Sequence, residues 1–248
     1  MDDLAHHEGT ISQAPIGASV ILQDMNNTAS YFGTRFRPDA HREALWYHLA
    51  RYLERFLPAD GHVIEIGAGY ASWINHVRAR SRVAIDLNAD LPRHVGPGVK
   101  AIVGDARVEL DALAPGSVDA VLASNFFEHF EWPDLDMMLA RVRRCLRVGG
   151  RLVLVQPNFR LAPRRYFDDY THRTIFTDVS LRDWLEANGL VVVHCQPRFM
   201  PLTVKSRLGR FTWLVPWYLR LPFRPLAGQM LMVAERPPAA TDEPSSSA

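Results

Sequence analysis

The segment at residues 63–71, Val-Ile-Glu-Ile-Gly-Ala-Gly-Tyr-Ala, constrains the fold of this chain most strongly. Its apolar residues predict a buried strand that ends near an acid, Glu65, and two glycines, Gly67 and Gly69, then turn the chain. Glycine adopts positive φ angles readily and lets a ligand approach the backbone closely. We expect a helix over residues 71–80, with its N-terminal N–H groups facing polar groups of a ligand. Such a turn also occurs for packing reasons alone, so both interpretations stay open at this point.

The composition fits one α/β domain. The chain has 248 residues, 48% of them hydrophobic, and a formal net charge of +1, so its overall charge does not attract nucleic acid. Cys145 and Cys195 form no closely spaced pair, which favours free thiols in a reducing compartment. We expect a cytoplasmic protein because the N-terminus lacks a secretion-signal pattern and no apolar run is long enough for a bilayer.

Predicted strands and helices alternate along the chain. After the first strand, apolar runs predict strands over residues 82–85, 99–103, 118–123, 152–155, 190–195 and 230–234. Helices are predicted over residues 38–57, 111–113, 134–146 and 179–188. This alternation predicts an α/β fold with a mostly parallel sheet and helices on both faces.

A single domain over residues 38–236 follows from this pattern. Residues 1–37 are interpreted as an N-terminal arm or lid, and residues 237–248, rich in Pro and Ser, as a disordered tail. Residues 198–226 form an insertion before the last strand. It is crowded with aromatic residues, and no Asp or Glu occurs between positions 187 and 234. The insertion could cover an acceptor pocket, form a homodimer contact, lie on an anionic membrane surface, or be an ordinary packed cover with solvated arginines. The basic residues of this region are Arg198, Lys205, Arg207, Arg210, Arg220 and Arg224.

Polar residues lie at the ends of five predicted strands. They are Glu65, Asp86, Asp105, Asn125 and Asn158. Ligands of parallel α/β sheets bind beyond the carboxyl ends of the strands. Five such residues in register therefore predict a ligand site at this edge.

These motifs, in this order, resemble those of the class I S-adenosylmethionine-dependent methyltransferases over about residues 61–234. Residues 65–69 resemble the family's first motif, Asp86 the acid that binds the ribose hydroxyls, and Asp105 the residue near the adenine amino group. The resemblance implies a Rossmann-like seven-stranded sheet with an antiparallel last strand, and S-adenosylmethionine as cofactor. The implied cofactor-binding residues are Glu65, Gly67, Ala68, Gly69, Asp86, Leu87, Asp105, Ala106 and Asn125.

Two departures from the family pattern matter. Ala71 stands where a third glycine is frequent, and a small residue should be tolerated there. No Asn/Asp-Pro-Pro-aromatic segment follows the fourth strand, which disfavours methylation of nucleic-acid bases. We therefore expect no nucleic-acid partner.

Candidate catalytic residues follow the fourth and fifth strands. A hydroxyl acceptor has to lose a proton, and histidine suits this role because its unperturbed pKa is about 6.5. His129 is the first candidate base and His172 the second, with Asp169 placed to orient His172 or to bind an acceptor hydroxyl. Alternatively, His129 bonds a backbone carbonyl and Asp169 caps a loop. We expect no metal site, because no metal-ligand cluster stands out in the sequence.

The sequence thus predicts an enzyme that methylates an oxygen, or less favourably a nitrogen, of a small-molecule or saccharide-type acceptor. A lipid-linked or phosphorylated glycan would suit the basic, aromatic insertion. Such a protein would be peripheral to the inner face of the membrane. Two alternatives remain: an inactive cofactor-binding partner subunit, and an NAD-dependent oxidoreductase that uses Gly67, Gly69 and Asp86 equally well.

Overall fold

Strands and helices alternate in the structure much as the hydrophobic pattern predicts. The computed structural model describes residues 40–202 and 207–238; the side chains of residues 40 and 207–210 lie outside this description. The predicted arm at 1–37, and the tail from residue 239 onward, also lie outside the described residues. The helices are α1 (Ala40–Leu53), α2 (Leu91–His94), α3 (Ala106–Glu109), α4 (Trp132–Cys145), α5 (Asp178–Ala187) and α6 (Val215–Tyr218). The strands are β1 (His62–Ile66), β2 (Ser81–Asp86), β3 (Val99–Val103), β4 (Val118–Ser124), β5 (Leu146–Pro157), β6 (Val191–Pro201) and β7 (Ala227–Glu235).

The strands form one seven-stranded sheet in the order β3-β2-β1-β4-β5-β7-β6. Strands β1 to β5 pair in parallel, and β7 runs antiparallel to both β5 and β6. The predicted Rossmann-like architecture is therefore confirmed. Because β1 lies centrally, the turn that follows it opens at the middle of the carboxyl edge.

The central strands of the sheet are buried on both faces, whereas the edge strands β3 and β6 are partly exposed. Alternate residues of β1 point to opposite sides, with Ile64 and Ile66 in the cluster that contains α4 and α5. Val63 belongs to the other cluster, which includes Leu45 and Leu49 of α1. Because both sides of these strands pack against other residues, their sequences are apolar almost without interruption.

Two predicted helices are wrong. Residues 71–80 form irregular turns with a single 3₁₀ turn at Ile74–His76: Ala71 adopts a φ of +56°, which an α-helix cannot contain, and Ile74 N bonds the Glu65 carboxyl group. The helix expected at 111–113 lies earlier, at Ala106–Glu109, where the Asp105 side chain accepts a hydrogen bond from Arg107 N at 2.8 Å. Both errors arise from local bonds that the hydrophobic pattern does not encode.

Within the two described ranges, the helices are too short or too polar to cross a bilayer.

Candidate active site

The glycine turn after β1 has a conformation that its sequence requires. Gly67 and Gly69 adopt φ angles of +64° and +57°. A Cβ atom on Gly67 would lie 2.2 Å from a ring carbon of Phe126, which follows β4. Position 67 therefore has to be glycine while Phe126 keeps its place.

Two acids hold this turn through its backbone N–H groups. The Glu65 carboxyl accepts a hydrogen bond from Ile74 N at 2.9 Å. The two oxygens of Asp86 accept from Gly69 N and Asn88 N, each at 2.8 Å. The predicted helix N-terminus is thus replaced by a turn whose shape these carboxyl groups set.

Desolvation raises the pKa of both carboxyl groups. Glu65 is only 4% exposed, and this burial raises its pKa to about 8; the Ile74 N–H opposes the shift and the Asp86 charge adds to it. Burial also raises the pKa of Asp86, against the bonds from Gly69 and Asn88. A cationic ligand group beside this pair would relieve the repulsion between the two carboxyl groups. Ala68 is buried beside them in the core of the α1 face, and Leu87 is half-buried after Asp86.

Asp105 binds a neighbouring arginine within the protein. Its carboxylate forms a buried ion pair with Arg107, with an Nη2–Oδ2 distance of 2.6 Å. Arg107 also lies 3.2 Å from the carboxylate of Asp134 in α4. The role of Asp105 and the buried Ala106 near an adenine amino group stays a prediction, and in that role Asp105 would have to share its oxygens with Arg107.

Asn125 and Asn158, which follow β4 and β5, form side-chain hydrogen bonds with other elements. Asn125 has a φ of +48°, and its side-chain oxygen accepts from Gln229 Nε2 in β7 at 2.7 Å. Asn158 is fully buried and donates to Asp178 at the start of α5 at 2.9 Å. Asn125 stays exposed at the carboxyl edge, whereas the contacts of Asn158 are structural.

The three predicted catalytic residues come together. The Thr171 hydroxyl lies 2.9 Å from Nδ1 of His129 and donates to Asp169 at 2.6 Å. The ring centroids of His129 and His172 are 5.1 Å apart. The loop after β5 thus folds back onto the segment after β4, and Asp169 reaches His129 through Thr171.

Sequence reasoning missed the contribution of Glu128. Its side chain is fully buried, with one oxygen 3.8 Å from His172 Nε2 and the other accepting from Gln156 Nε2 at 2.6 Å. The backbone oxygen of Glu128 accepts from the N–H groups of Arg173 and Thr174, which fixes the returning loop. Only the position of Glu128 next to His129 could have indicated this role, since Gln156 and Thr171 are distant in sequence.

Burial also sets the protonation states in this cluster. Burial and the nearby His172 charge lower the pKa of His129 to about 4, against opposing effects of Asp169 and of backbone hydrogen bonds with Thr171 and Asn125. Burial raises the pKa of Glu128 to about 8, although hydrogen bonds from the backbone and Gln156 oppose the shift and Asp169 adds to it. At neutral pH the imidazole of His129 is therefore uncharged and able to accept a proton.

The insertion packs partly onto α1. Arg224, expected among its surface charges, is instead 2% exposed and donates to Tyr52 Oη at 3.0 Å and to Phe199 O at 3.3 Å. This expectation was wrong because Arg224 satisfies buried carbonyl groups rather than facing solvent. Lys205 lies outside the described residues, as do the side chains of Arg207 and Arg210.

Comparison with known proteins agrees with this geometry. The family model described as a methyltransferase domain matches residues 39–195, well over half of the chain. The chain therefore belongs to the methyltransferase-domain family and is an enzyme. A search of the curated proteins found no sequence match.

Solved structures share the fold at low sequence identity. A SAM-dependent methyltransferase from Archaeoglobus fulgidus has a TM-score of 0.61 and 19% identity, covering 84% of this chain and 99% of its own. A SAM-dependent methyltransferase from Thermotoga maritima has a TM-score of 0.57 and 15% identity, covering 87% and 98%. The 1,6-didemethyltoxoflavin-N1-methyltransferase of Burkholderia thailandensis, with bound S-adenosylhomocysteine, has a TM-score of 0.55 and 19% identity; the match covers 90% of this chain and 92% of that protein.

Family and fold together confirm the prediction of an S-adenosylmethionine-dependent methyltransferase over the nicotinamide oxidoreductase. The residues present fit this cofactor. Gly67 and Gly69 present bare backbone at the turn, and the buried carboxyl group of Glu65 and the part-buried one of Asp86 suit a ligand with positive charge and hydroxyl groups.

Proposed function

We propose that this enzyme methylates an oxygen atom, and less favourably a nitrogen atom, of a small-molecule or saccharide-type acceptor. The hydrogen-bonded chain from Asp169 through Thr171 to His129 carries this proposal. It holds an uncharged imidazole at the carboxyl edge of the sheet, following the same strand end, β4, that contacts the glycine turn through Phe126.

The cofactor would supply a methyl group attached to a positively charged sulfur. Glu65, the Gly67–Gly69 turn and Asp86 would hold it, with Ala68, Leu87, Asp105, Ala106 and Asn125 as further contacts. His129 would take the proton of the acceptor hydroxyl, and His172 is the second candidate for this role. Asp169 and Thr171 keep the His129 ring in one orientation, and the burial of the cluster limits access of water.

An uncharged histidine favours oxygen as the acceptor atom. A hydroxyl gains nucleophilicity as its proton is removed, whereas a neutral amine already carries a reactive lone pair. Because burial lowers the His129 pKa to about 4, the ring is unprotonated throughout the neutral range, but it is also a weaker base than an ordinary histidine, so proton removal would depend on how the Thr171–Asp169 contacts hold the ring against the acceptor hydroxyl.

The direct test is turnover with a panel of acceptors. Purified protein and S-adenosylmethionine are incubated with hydroxylated small molecules and saccharides, and with matched amines, and products are identified by mass shift. We expect S-adenosylhomocysteine to form only with an acceptor, and His129→Gln to bind cofactor normally but turn over slowly. Tight cofactor binding without turnover on any acceptor would instead support the inactive partner subunit.

The insertion suggests where such an acceptor is found. The insertion exposes Phe211, Trp213, Trp217, Phe223 and Leu226, which we together call the apolar patch; Trp213 and Trp217 are each 63% exposed and Leu226 is 78% exposed. Arginines flank it: the guanidinium of Arg198 lies 5.0 Å from the Phe223 ring centroid, and that of Arg220 lies 5.6 Å from the Trp217 ring centroid. Exposed aromatics beside cations suit the interface of an anionic membrane, so we propose a lipid-linked or phosphorylated acceptor.

Co-sedimentation with vesicles tests the membrane contact. We expect binding to anionic vesicles, weaker binding to neutral ones, and loss in Trp213→Ala/Trp217→Ala. The matched control is Trp132→Ala, which removes a 45% exposed tryptophan of α4 on the opposite face of the sheet. Concentration-dependent self-association without vesicle binding would assign the patch to a homodimer instead.

A further inference from the structure

We propose that Glu128, His129 and His172 bind a divalent transition-metal ion. One carboxylate oxygen of Glu128 and one ring nitrogen of each histidine lie within 4.8 Å of one another. His172 Nε2 is 3.8 Å from Glu128 Oε1. The three groups come from two segments, the one after β4 and the loop after β5, which the fold holds together.

The second observation is a pair of buried oxygens without hydrogen-bond partners. Among the described residues, neither Glu128 Oε1 nor Gln156 Oε1 has a hydrogen-bond partner, although both side chains are fully buried. Leaving a buried polar atom unpaired costs about 1–3 kcal/mol, and a water or an ion at the atom would remove this cost. The oxygen of Glu128 faces His172, where an ion would satisfy it.

Neighbouring residues already hold the ligands in place. Gln156 donates to the other oxygen of Glu128 at 2.6 Å. Asp169 acts through Thr171 on the His129 ring. Such outer contacts are typical around metal ligands, whose orientation they fix.

The ligand chemistry indicates which ions fit. Two imidazoles and one carboxylate suit Zn²⁺, Mn²⁺, Fe²⁺ or Co²⁺ better than Mg²⁺ or Ca²⁺, which prefer oxygen ligands. With bonds of about 2.1 Å, ligand atoms around such an ion are about 3–3.5 Å apart, so the widest separation among the three groups would shorten by up to about 1.5 Å. Three protein ligands leave a position for a further molecule, as catalytic sites require.

The ion would give the site a further means of binding the acceptor. An acceptor hydroxyl in the remaining position would become more acidic and release its proton to water. With the ion bound, His129 would be one of its ligands, and the base role of His129 in the proposed function would apply to the ion-free protein. This role rests on the proposed function, whereas ion binding itself does not.

Metal binding is measured without cofactor or acceptor. Untagged full-length protein is treated with a chelator, dialysed and titrated with Co²⁺, with visible absorption and metal analysis as readouts. We expect one equivalent to bind, and Glu128→Gln or His172→Asn to weaken binding at least about 10-fold, since losing even an outer partner typically costs 10–100-fold. Circular dichroism and cofactor binding report whether each variant is folded.

Two controls separate this site from other histidines. His76→Asn removes the Nε2 atom that lies 3.5 Å from Glu43, a pair that has no third ligand among residues 40–202 and 207–238, and should leave Co²⁺ affinity unchanged. A His6→Asn/His7→Asn variant controls for the neighbouring histidines near the N-terminus.

The outcomes distinguish the two proposals. No Co²⁺ binding by folded protein, or equal affinity in Glu128→Gln/His172→Asn, overturns the metal site and leaves methyl transfer untouched. Co²⁺ binding that these substitutions weaken supports the site even if no acceptor is ever methylated.

Discussion

Glu65 shows how one buried side chain can couple cofactor binding to pH. Its pKa of about 8 means that the carboxyl group carries its proton at pH 7 in the free protein. A cationic cofactor group nearby favours the ionised form and lowers this pKa. We expect binding at pH 7 to release up to about one proton, and the release to fade above pH 8, where the group is already ionised. Calorimetry in buffers of different ionisation enthalpy measures it.

Two matched variants identify the carboxyl group that releases the proton. Glu65→Gln should abolish the release and flatten the pH dependence of affinity. Glu128→Gln should preserve both, although burial raises the pKa of Glu128 to a similar value. Proton uptake, or release that persists in Glu65→Gln, would contradict the assignment.

Thr171 is a positioning residue in the proposed mechanism. Thr171→Val keeps the shape but removes the hydroxyl between His129 and Asp169. Because a general base contributes about 10²–10⁴-fold, loss of its orientation should lower kcat about 10- to 100-fold. The KM and the cofactor affinity should stay unchanged. Thr171→Ser restores the hydroxyl and should restore kcat; equal rates for Val and Ser would exclude the role.

Among the elements, the strands were predicted best. Each predicted strand core lies within an observed strand, with one residue of overhang at residue 190, because parallel strands covered on both sides leave a continuous apolar signal. The connections were predicted less well. The turn at residues 67–76 depends on carboxyl groups of Glu65 and Asp86 that capture N–H groups, and no periodicity reports such bonds.

For the candidate site, too, the sequence predicted residues at strand ends better than contacts made by the connecting loops. Acids at strand ends can be found by position, so the place of Glu65 and Asp86 beside the glycine turn could be predicted from the sequence, whereas their contact with the cofactor stays a prediction. His129, His172 and Asp169 were proposed separately, and their contact through Thr171 depends on how the loop after β5 returns. The burial of Glu128 also follows from this return, so it could not be inferred locally.

The turn after β1 has a steric requirement that can be tested. Gly67→Ala places a Cβ against Phe126 and forces a side chain onto a φ of +64°, so we expect a loss of about 2–5 kcal/mol in unfolding free energy. Gly98→Ala is the control: its φ is +74°, but the nearest atom is the flexible end of Arg82 at 3.3 Å. It should cost only about 1–2 kcal/mol.

A double variant separates the two contributions at Gly67. In a Phe126→Ala background the steric overlap is gone, and Gly67→Ala should then cost about as much as Gly98→Ala. Urea unfolding gives all the values. An undiminished cost in that background would show that Phe126 is not the obstacle.

At the scale of the whole molecule, the two ends of the sheet carry different sets of charged groups. The carboxyl end carries Glu65, Asp86 and the histidine cluster, several of them buried with displaced pKa values. At the other end, Asp119 of β4 accepts from His62 N of β1 at 2.7 Å and pairs with Arg147 of β5. It therefore joins three adjacent strands far from the glycine turn, and its contribution should be to stability alone.

The contacts of Asp119 predict a contribution to the free energy of unfolding that is lost in acid. Burial alone would raise the pKa of Asp119, but the His62 N–H and the Arg147 guanidinium hold it below its ordinary value. An acid with a depressed pKa stabilises the fold fully above the unfolded-state pKa of about 3.9, and the stabilisation disappears as pH falls through the folded-state value. Because Arg147 is half-exposed, solvent screening limits the term to about 0.5–1.5 kcal/mol.

Comparing wild type with Asp119→Asn by urea unfolding isolates this term from other acid effects. The variant should be less stable by a constant amount from pH 7 down to about pH 4, and the difference should shrink as the solution becomes more acidic, because protonated Asp119 no longer pairs with Arg147. Added salt should reduce the difference at pH 7. Asp60→Asn, at an exposed loop position, should change nothing. A difference that stays constant in acid would mean that Asp119 acts through its hydrogen-bond geometry rather than through its charge.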